Sequence, residues 1–139
     1  MTNFLGMSIQ LVRGAGLFPH VPYAYAAIAR DTGLIFTAGA CPLDDHGRVI
    51  APGDIAAQTR QATNNLRTTL QECGAELRDV LKTTIYVASS QRGDLVIAWS
   101  EVARAFDDHR PPSTLLGVTL LGYPDQLVEI EALAAAPPC

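Results

Sequence analysis

Cysteine is scarce in this chain and poorly placed for cross-linking or metal binding. Cys41, Cys73 and Cys139 are odd in number, with no C-x-x-C pair and no Cys/His ligand spacing, which argues against a disulfide framework and against a zinc site. Long apolar runs are missing as well: none approaches the ~20 residues that cross a bilayer. The opening MTNFLGMSIQLVRG has too short an apolar stretch and the wrong charge order for a signal peptide. There is no basic excess either. The formal net charge is −4, whereas a nucleic-acid partner calls for a basic face. The expectation is a cytoplasmic protein in a reducing setting, with no membrane and no nucleic-acid partner.

Motifs of the common cofactor and nucleophile sites are also absent. The glycines form neither G-x-G-x-x-G nor a P-loop, so a nucleotide site has no support. Ser113 has no nucleophile elbow around it, and His20, His46 and His109 share no ligand spacing and no triad order. His46 belongs to a turn and His109 to a helix end, where an imidazolium suits the negative pole of the dipole; both are expected at the surface. No repeat, low-complexity tract or linker divides the 139 residues, so residues 1–139 are expected to be one domain. Hydrophobic residues make up 48% and charged residues 17%, a balance that suits a packed core rather than disorder.

What is present is an ordered alternation of strand and helix signals. Residues 25–39 read as two short strands around the turn Asp31-Thr32-Gly33, and Asp44-Asp45-His46-Gly47 reads as a second turn. Asp54 is placed to cap a helix in which Ile55, Ala62, Leu66, Leu70 and Cys73 recur near helical period, with Gly74 as the stop. In 80–88 the alternation predicts Leu81, Thr83, Ile85 and Val87 on one sheet face and Lys82, Thr84 and Tyr86 on the other. Asp94 is expected to cap a second helix that buries Leu95, Trp99, Val102 and Phe106. Strands at 114–121 and 127–135 follow. The sum is an α+β fold with both helices on one sheet face, and the second face is left either solvated or available as an oligomer interface.

Two stretches can carry chemistry. In LVEIEALA, Glu129 and Glu131 share one face of a strand, with Val128, Ile130 and Ala132 opposite. A carboxylate half buried among apolar groups is suited to general acid–base work near neutral pH; the alternative is a solvated face with two surface glutamates. The other stretch, HRPPSTLLGV (109–118), joins a helix to a strand through two prolines and places Arg110, Ser113 and Thr114 at the junction. Cys41, in Ala40-Cys41-Pro42, is either a reactive thiol or a buried structural one, and with no base nearby in sequence the second is expected.

LIFTAGACPLDDHGRVI, DIAAQTRQATNNLRTTLQECGAELRDVLKTTIYV and LVEIEALA, in this order and register, resemble the RidA/YjgF/YER057c (reactive intermediate deaminase) family from about Pro22 to Ala134. The resemblance implies a chorismate-mutase-like α+β domain assembled as a homotrimer around a central barrel, with small-molecule clefts between adjacent subunits. It implies hydrolysis of reactive enamines and imines to 2-oxo acids and ammonia, with no metal or organic cofactor. Glu129 corresponds to the family glutamate that holds or activates water, Gly39 to the glycine of the strand-end turn lining the cleft, and Tyr23 to the cleft tyrosine.

The chain departs from the pattern at one position. Where active deaminases read R-P-A-R-[ST]-x-V, it reads Arg110-Pro111-Pro112-Ser113-Thr114-Leu115-Leu116, so Ser113 stands where the carboxylate-clamping arginine is expected. A guanidinium grips a carboxylate through two charge-assisted bonds; a hydroxyl offers one neutral bond. The loss is on the order of 2–5 kcal/mol of binding, so amino-acid-derived imino acids are poor candidates as substrates. The reading is a trimeric enzyme acting on a small imine, enamine or related intermediate, with Glu129 as acid/base and Tyr23, Gly39, Ser113, Thr114 and Arg110 around the substrate. Ser113 and Thr114 are expected to line a neutral, hydroxyl-bearing pocket, with Arg110 able to reach in only against two stiff prolines. Trp99 fills space near the cleft or, more simply, packs in the core. The alternatives are a non-catalytic ligand-binding or regulatory trimer and, more weakly, an endoribonuclease.

Overall fold

A computed structural model describes residues 8–137; part of the opening stretch MTNFLGMSIQLVRG, and Cys139, lie outside them. The chain runs β1 (Ile9–Val12), β2 (Ala26–Ala29), β3 (Leu34–Thr37), α1 (Ile55–Glu72), a 3-10 turn (Leu77–Asp79), β4 (Val80–Val87), α2 (Arg92–Phe106), β5 (Ser113–Gly117) and β6 (Val128–Ala135). The strands form one mixed sheet in the order β1-β2-β3-β6-β4-β5. Only β4 and β5 pair in parallel, and α2 is the crossover between them. The expected α+β architecture is therefore observed, with both helices on one face.

α1 begins and ends where its punctuation says. Asp54 Oδ1 accepts the Ala57 N–H at 2.9 Å, satisfying one of the unpaired amides of the first turn. Past the helix end, Gly74 takes φ +78°, the left-handed conformation that favours glycine. The buried stripe holds Ile55, Ala62, Leu66 and Leu70, and also Gln58. Gln58 is fully enclosed and reaches across to the loop before β6: its Nε2 donates to Asp125 O at 3.0 Å and its Oε1 accepts Leu127 N–H at 2.8 Å. A buried amide whose two ends are both used fixes that loop on the helix.

The structure corrects four details. β1 was not anticipated, because four residues are too few for a period to show. In β4 the ladder to β6 slips between Val80 and Lys82, so Val80 is buried and Leu81 is turned out to 44% exposure; an extra residue in one strand reverses the side-chain parity beyond it. α2 starts at Arg92, with Gln91 at the cap, and Asp94 sits inside the first turn, accepting the Ser89 hydroxyl at 2.6 Å. Trp99 lies beside the buried Ala98–Val102–Phe106 stripe and stays 37% exposed, so it is not core.

Ile28, Ile35, Ile85, Val128 and Ile130 make the helix-covered core face of the sheet. By the strand register, the opposite face presents Leu11, Phe36, Leu133, Glu129, Glu131, Lys82, Thr84, Tyr86, Thr114 and Leu116. No helix of the described residues is long and apolar enough to cross a membrane.

Candidate functional site

The alternation of β6 buries Val128, Ile130, Ala132 and Ala134 and leaves Glu129 and Glu131 on the other face. Beyond β3 the chain passes close over this strand. Ala40 and Ile130 exchange backbone hydrogen bonds at 2.7 and 3.1 Å, and this bridge lays Gly39 directly on the Glu129 side chain. A Cβ built on Gly39 would lie 1.9 Å from Glu129 Oε2, far inside any contact distance. Glycine is required at position 39 by this close approach.

Two donors meet the other carboxylate oxygen. Gln126 Nε2 donates to Glu129 Oε1 at 3.1 Å, and the Cys41 thiol, with one proton to give, faces the same oxygen at 3.6 Å and Gly39 O at 3.5 Å. Cys41 is buried. Burial pushes its thiol up to about 12, with the neighbouring Glu129 charge adding to the shift. At neutral pH it is a protonated hydrogen-bond donor, not a thiolate nucleophile. The expectation of a buried cysteine holds, yet the base that seemed missing is present: Glu129 is 88 residues away in sequence.

Phenols complete the surroundings. Tyr23 and Tyr123 hydroxyls are 3.2 Å apart, and the rings of Tyr23 and Tyr25 meet edge-on at 5.9 Å. Burial, then the Tyr123 contact, raises the Tyr23 phenol well above the ordinary range, and burial pushes Tyr25 up to about 12. Both stay neutral and able to donate. Tyr25 spends its proton on Phe18 O at 2.6 Å, which holds the loop that carries Tyr23. On the far wall, Asn65 of α1 donates to Cys41 O and Leu43 O at 2.9 and 3.0 Å, fixing the turn after Gly39. A small recess on the Tyr23 side of Cys41 is lined by Leu17, Phe18, Tyr23, Tyr25, Cys41 and Asn65, among others; Glu129, Gly39 and Gln126 are not part of its wall.

Of the residues singled out in the sequence, Glu129, Gly39 and Tyr23 gather here. Ser113, Thr114 and Arg110 do not join them within this chain. Successive strand residues point to opposite faces: Ser113 turns to the helix side, between the Thr83 hydroxyl at 2.6 Å and Pro111 O at 3.0 Å. Thr114 turns to the open face, where Lys82 Nζ donates to it at 2.6 Å. The expected shared hydroxyl wall is thus divided by the sheet. Arg110 folds back on α2 and donates to Ala103 O at 2.7 Å, a second donor to a carbonyl that the Asp107 N–H already meets at 3.0 Å. His109 is partly enclosed, its Nε2 against Val80 O at 2.8 Å. Gln126, Cys41 and Tyr123 are site residues that sequence reasoning missed or read otherwise; they are brought in by loops without period or motif. Among the described residues, no three His, Cys, Asp or Glu side chains converge to hold a metal ion.

The chain matches known proteins over this whole frame. A family model described as Endoribonuclease L-PSP covers residues 16–136. The 3-aminoacrylate deaminase RutC of Acinetobacter baylyi is 31% identical over 116 residues, 84% of this chain and 88% of that protein. A RutC family protein of Pyrococcus horikoshii is 34% identical over the same shares. The crystal structure of a YjgF/YER057c/UK114 family member from Mycobacterium tuberculosis is 35% identical, with a TM-score of 0.73 over 92% of this chain and 99% of that one. The YjgF gene product of Escherichia coli gives 26% identity and a TM-score of 0.77 over 92% and 98%.

Proposed function

Because the chain belongs to the Endoribonuclease L-PSP family, the RidA/YjgF family that its motifs resemble, we propose that it hydrolyses a small imine or enamine, with Glu129 as the acid–base group. The observation that carries this reading is the one-sided grip on Glu129. Its Oε1 holds the Gln126 and Cys41 donors, while Oε2 lies at the Gly39 backbone, without a hydrogen-bond donor among the described residues. In the reaction, the water oxygen bonds to the C=N carbon as Glu129 takes one of its protons, and the C=N electron pair moves to nitrogen, which receives that proton to give an amino alcohol (an enamine first gaining a proton at carbon and losing one from nitrogen to become the imine). Glu129 then takes the hydroxyl proton as the C=O bond forms and passes it to nitrogen as the C–N bond breaks and ammonia leaves. Neutral phenols nearby supply donors without a competing charge.

The active form in this reading is a homotrimer. Its basis is the sheet face opposite the helices, which exposes Leu11, Phe36 and Leu116 at 55%, 51% and 43%; subunits packed on that face would bury them and set clefts between neighbours. Substrates without a carboxylate are favoured, since Ser113 stands at the clamp position with its hydroxyl engaged by Thr83 and Pro111 O, and Arg110 is engaged by Ala103 O. The test is hydrolysis of a neutral imine beside 2-aminoacrylate, iminopropionate and 3-aminoacrylate, by purified protein and by Glu129→Ala. Turnover of the neutral imine that Glu129→Ala abolishes supports the reading. Full activity on 2-aminoacrylate that Arg110→Ala abolishes would overturn the substrate assignment.

A second reading is a non-catalytic small-ligand-binding trimer, favoured by the missing clamp; there, ligand binding would survive Glu129→Ala and no substrate would turn over. The word endoribonuclease in the family description gives a third. It is weakened by the net charge of −4, and RNA cleavage that persists through purification and vanishes in Glu129→Ala would be needed to revive it.

A further inference from the structure

We infer that Gln126 is a positioning residue that holds Glu129 by Oε1 and so selects Oε2, at the Gly39 backbone, as the oxygen that meets water and substrate. The inference deepens the role proposed for Glu129 and rests on it.

The orientation of the Gln126 amide follows from its neighbours. The side chain is 4% exposed, so each of its polar groups needs a protein partner. At one end stands the Tyr123 N–H, 3.1 Å away, which can only donate; that end must be the carbonyl oxygen. At the other end stand Val128 O and Glu129 Oε1, each at 3.1 Å, and both accept; that end must be the NH2. Both amide hydrogens and the carbonyl are thereby used, and the flipped amide would oppose like groups at every contact. The residue has one stable pose, and in it a hydrogen is aimed at Glu129.

The backbone that carries Gln126 is held equally firmly. Gln58 of α1 binds the residues on either side, Asp125 through its carbonyl and Leu127 through its N–H. Gln126 N–H closes a turn onto Tyr123 O at 3.1 Å, and Tyr123 in turn meets Tyr23. One buried amide therefore joins the phenol pair to the carboxylate. The Cys41 thiol reinforces the same oxygen at 3.6 Å, as a weaker donor. With Oε1 held by the Gln126 amide, Oε2 is the oxygen left at Gly39.

Gln126→Glu keeps the shape of the side chain but replaces the donor with a second carboxylate oxygen facing Oε1. Two carboxylates so placed share a proton. The test is a pH titration of the full chain carrying 13C-labelled glutamate carboxyls, together with pH–rate profiles on the neutral imine. In Gln126→Glu, the coupled pair of carboxylates shows a titration step at higher pH than any glutamate step of the parent protein, and the acid limb of the rate profile moves with it. At neutral pH the rate falls by at least about tenfold. Gln126→Met, which keeps the length of the side chain and removes the donor, shifts the Glu129 resonance in the same direction and carries the test where Gln126→Glu does not fold. A titration in folded Gln126→Glu or Gln126→Met that superimposes on the parent would overturn the inference. A resonance that shifts in a protein that hydrolyses no imine keeps Gln126 as the anchor of Glu129 and removes the proposed reaction instead.

Discussion

Gly39 and Glu129 touch so closely that no Cβ fits at position 39 while Glu129 keeps its place: a Cβ there would lie 1.9 Å from Oε2, 2.5 Å from Cδ and 2.7 Å from Cγ of the glutamate. Three atoms of one side chain would clash, not merely its flexible tip. Gly39→Ala is therefore expected to displace the Glu129 carboxylate from its Gln126 and Cys41 donors. A misplaced acid–base group loses about 10²-fold or more in rate, while the core, which lies on the other face of β6, is untouched. Gly93→Ala is the control, since a Cβ there meets nothing within 4 Å and alanine improves a helix by about 0.5–1 kcal/mol. Thermal melts and imine hydrolysis should separate the two: lost activity with a near-parental melt for Gly39→Ala, full activity with a slightly raised melt for Gly93→Ala. A fully active Gly39→Ala would sink the placement of Glu129.

Cys41 and Cys73 make stability depend on alkaline pH. Burial raises both thiols from an ordinary 9.0, Cys41 to about 12 and Cys73 to about 11. Between pH 9 and these values the folded chain keeps protons that the unfolded chain has lost. Stability is therefore fully present below pH 9 and falls as pH rises from 9 toward 11–12. Urea midpoints should drop over that window, and Cys41→Ala should flatten part of the drop. Iodoacetamide at pH 8, followed by peptide mapping, should leave Cys41 unmodified in the native protein and modify it in urea. Labelling of native Cys41 at the rate of a small thiol would contradict the burial.

Glu72 anchors the loop that brings Tyr23 to the site. Its two carboxylate oxygens accept the Ala15 and Gly16 N–H groups, each at 2.6 Å, from 57 and 56 residues away. Charge-assisted bonds to backbone amides are short and stronger than neutral ones. Glu72→Ala should lose about 1–2 kcal/mol of stability and speed hydrogen exchange at amides 15 and 16, with little change in α2. Exchange at those amides equal to the parent's would show that the loop is held by other contacts.

The readable parts of this chain are those with period or punctuation. The Asp54 cap, the Gly74 stop, the turn at Gly33 and the alternation that separates Glu129 from Ile130 all belong to single elements, and each was legible. Leu81 was misread because a bulge changes strand parity without changing composition. Trp99 was misread because it borders the buried stripe, where one helical step decides between core and solvent. Ser113 and Thr114 are placed in one pocket by the position of the family's clamp arginine, although strand geometry sends their side chains to opposite faces within one subunit. The partners of Glu129 were less accessible still. Cys41 and Gln126 reach it from a strand-end turn and an irregular loop, and nothing in either segment signals the meeting before β3, β6 and α1 are packed.

Phe36 decides whether the open sheet face is an interface. It is half exposed, pairs across the ladder with Leu133 and Ala27, and lies near Lys82, Thr84 and Glu131. In a lone subunit this places a phenyl ring in water beside charged groups, at no gain; buried between subunits, a ring of this size contributes about 1.5–3 kcal/mol. Phe36→Asp adds a negative charge near Glu131 and removes that apolar area, so an assembly built on this face should dissociate while each subunit keeps its helix-packed core. Sedimentation equilibrium should give a trimer for the parent and a monomer for Phe36→Asp, with unchanged far-UV circular dichroism. If the clefts lie between subunits, imine hydrolysis disappears with the trimer. A parent protein that sediments as a monomer and still hydrolyses the imine would place the whole site within one chain, among Tyr23, Gly39, Cys41, Gln126 and Glu129.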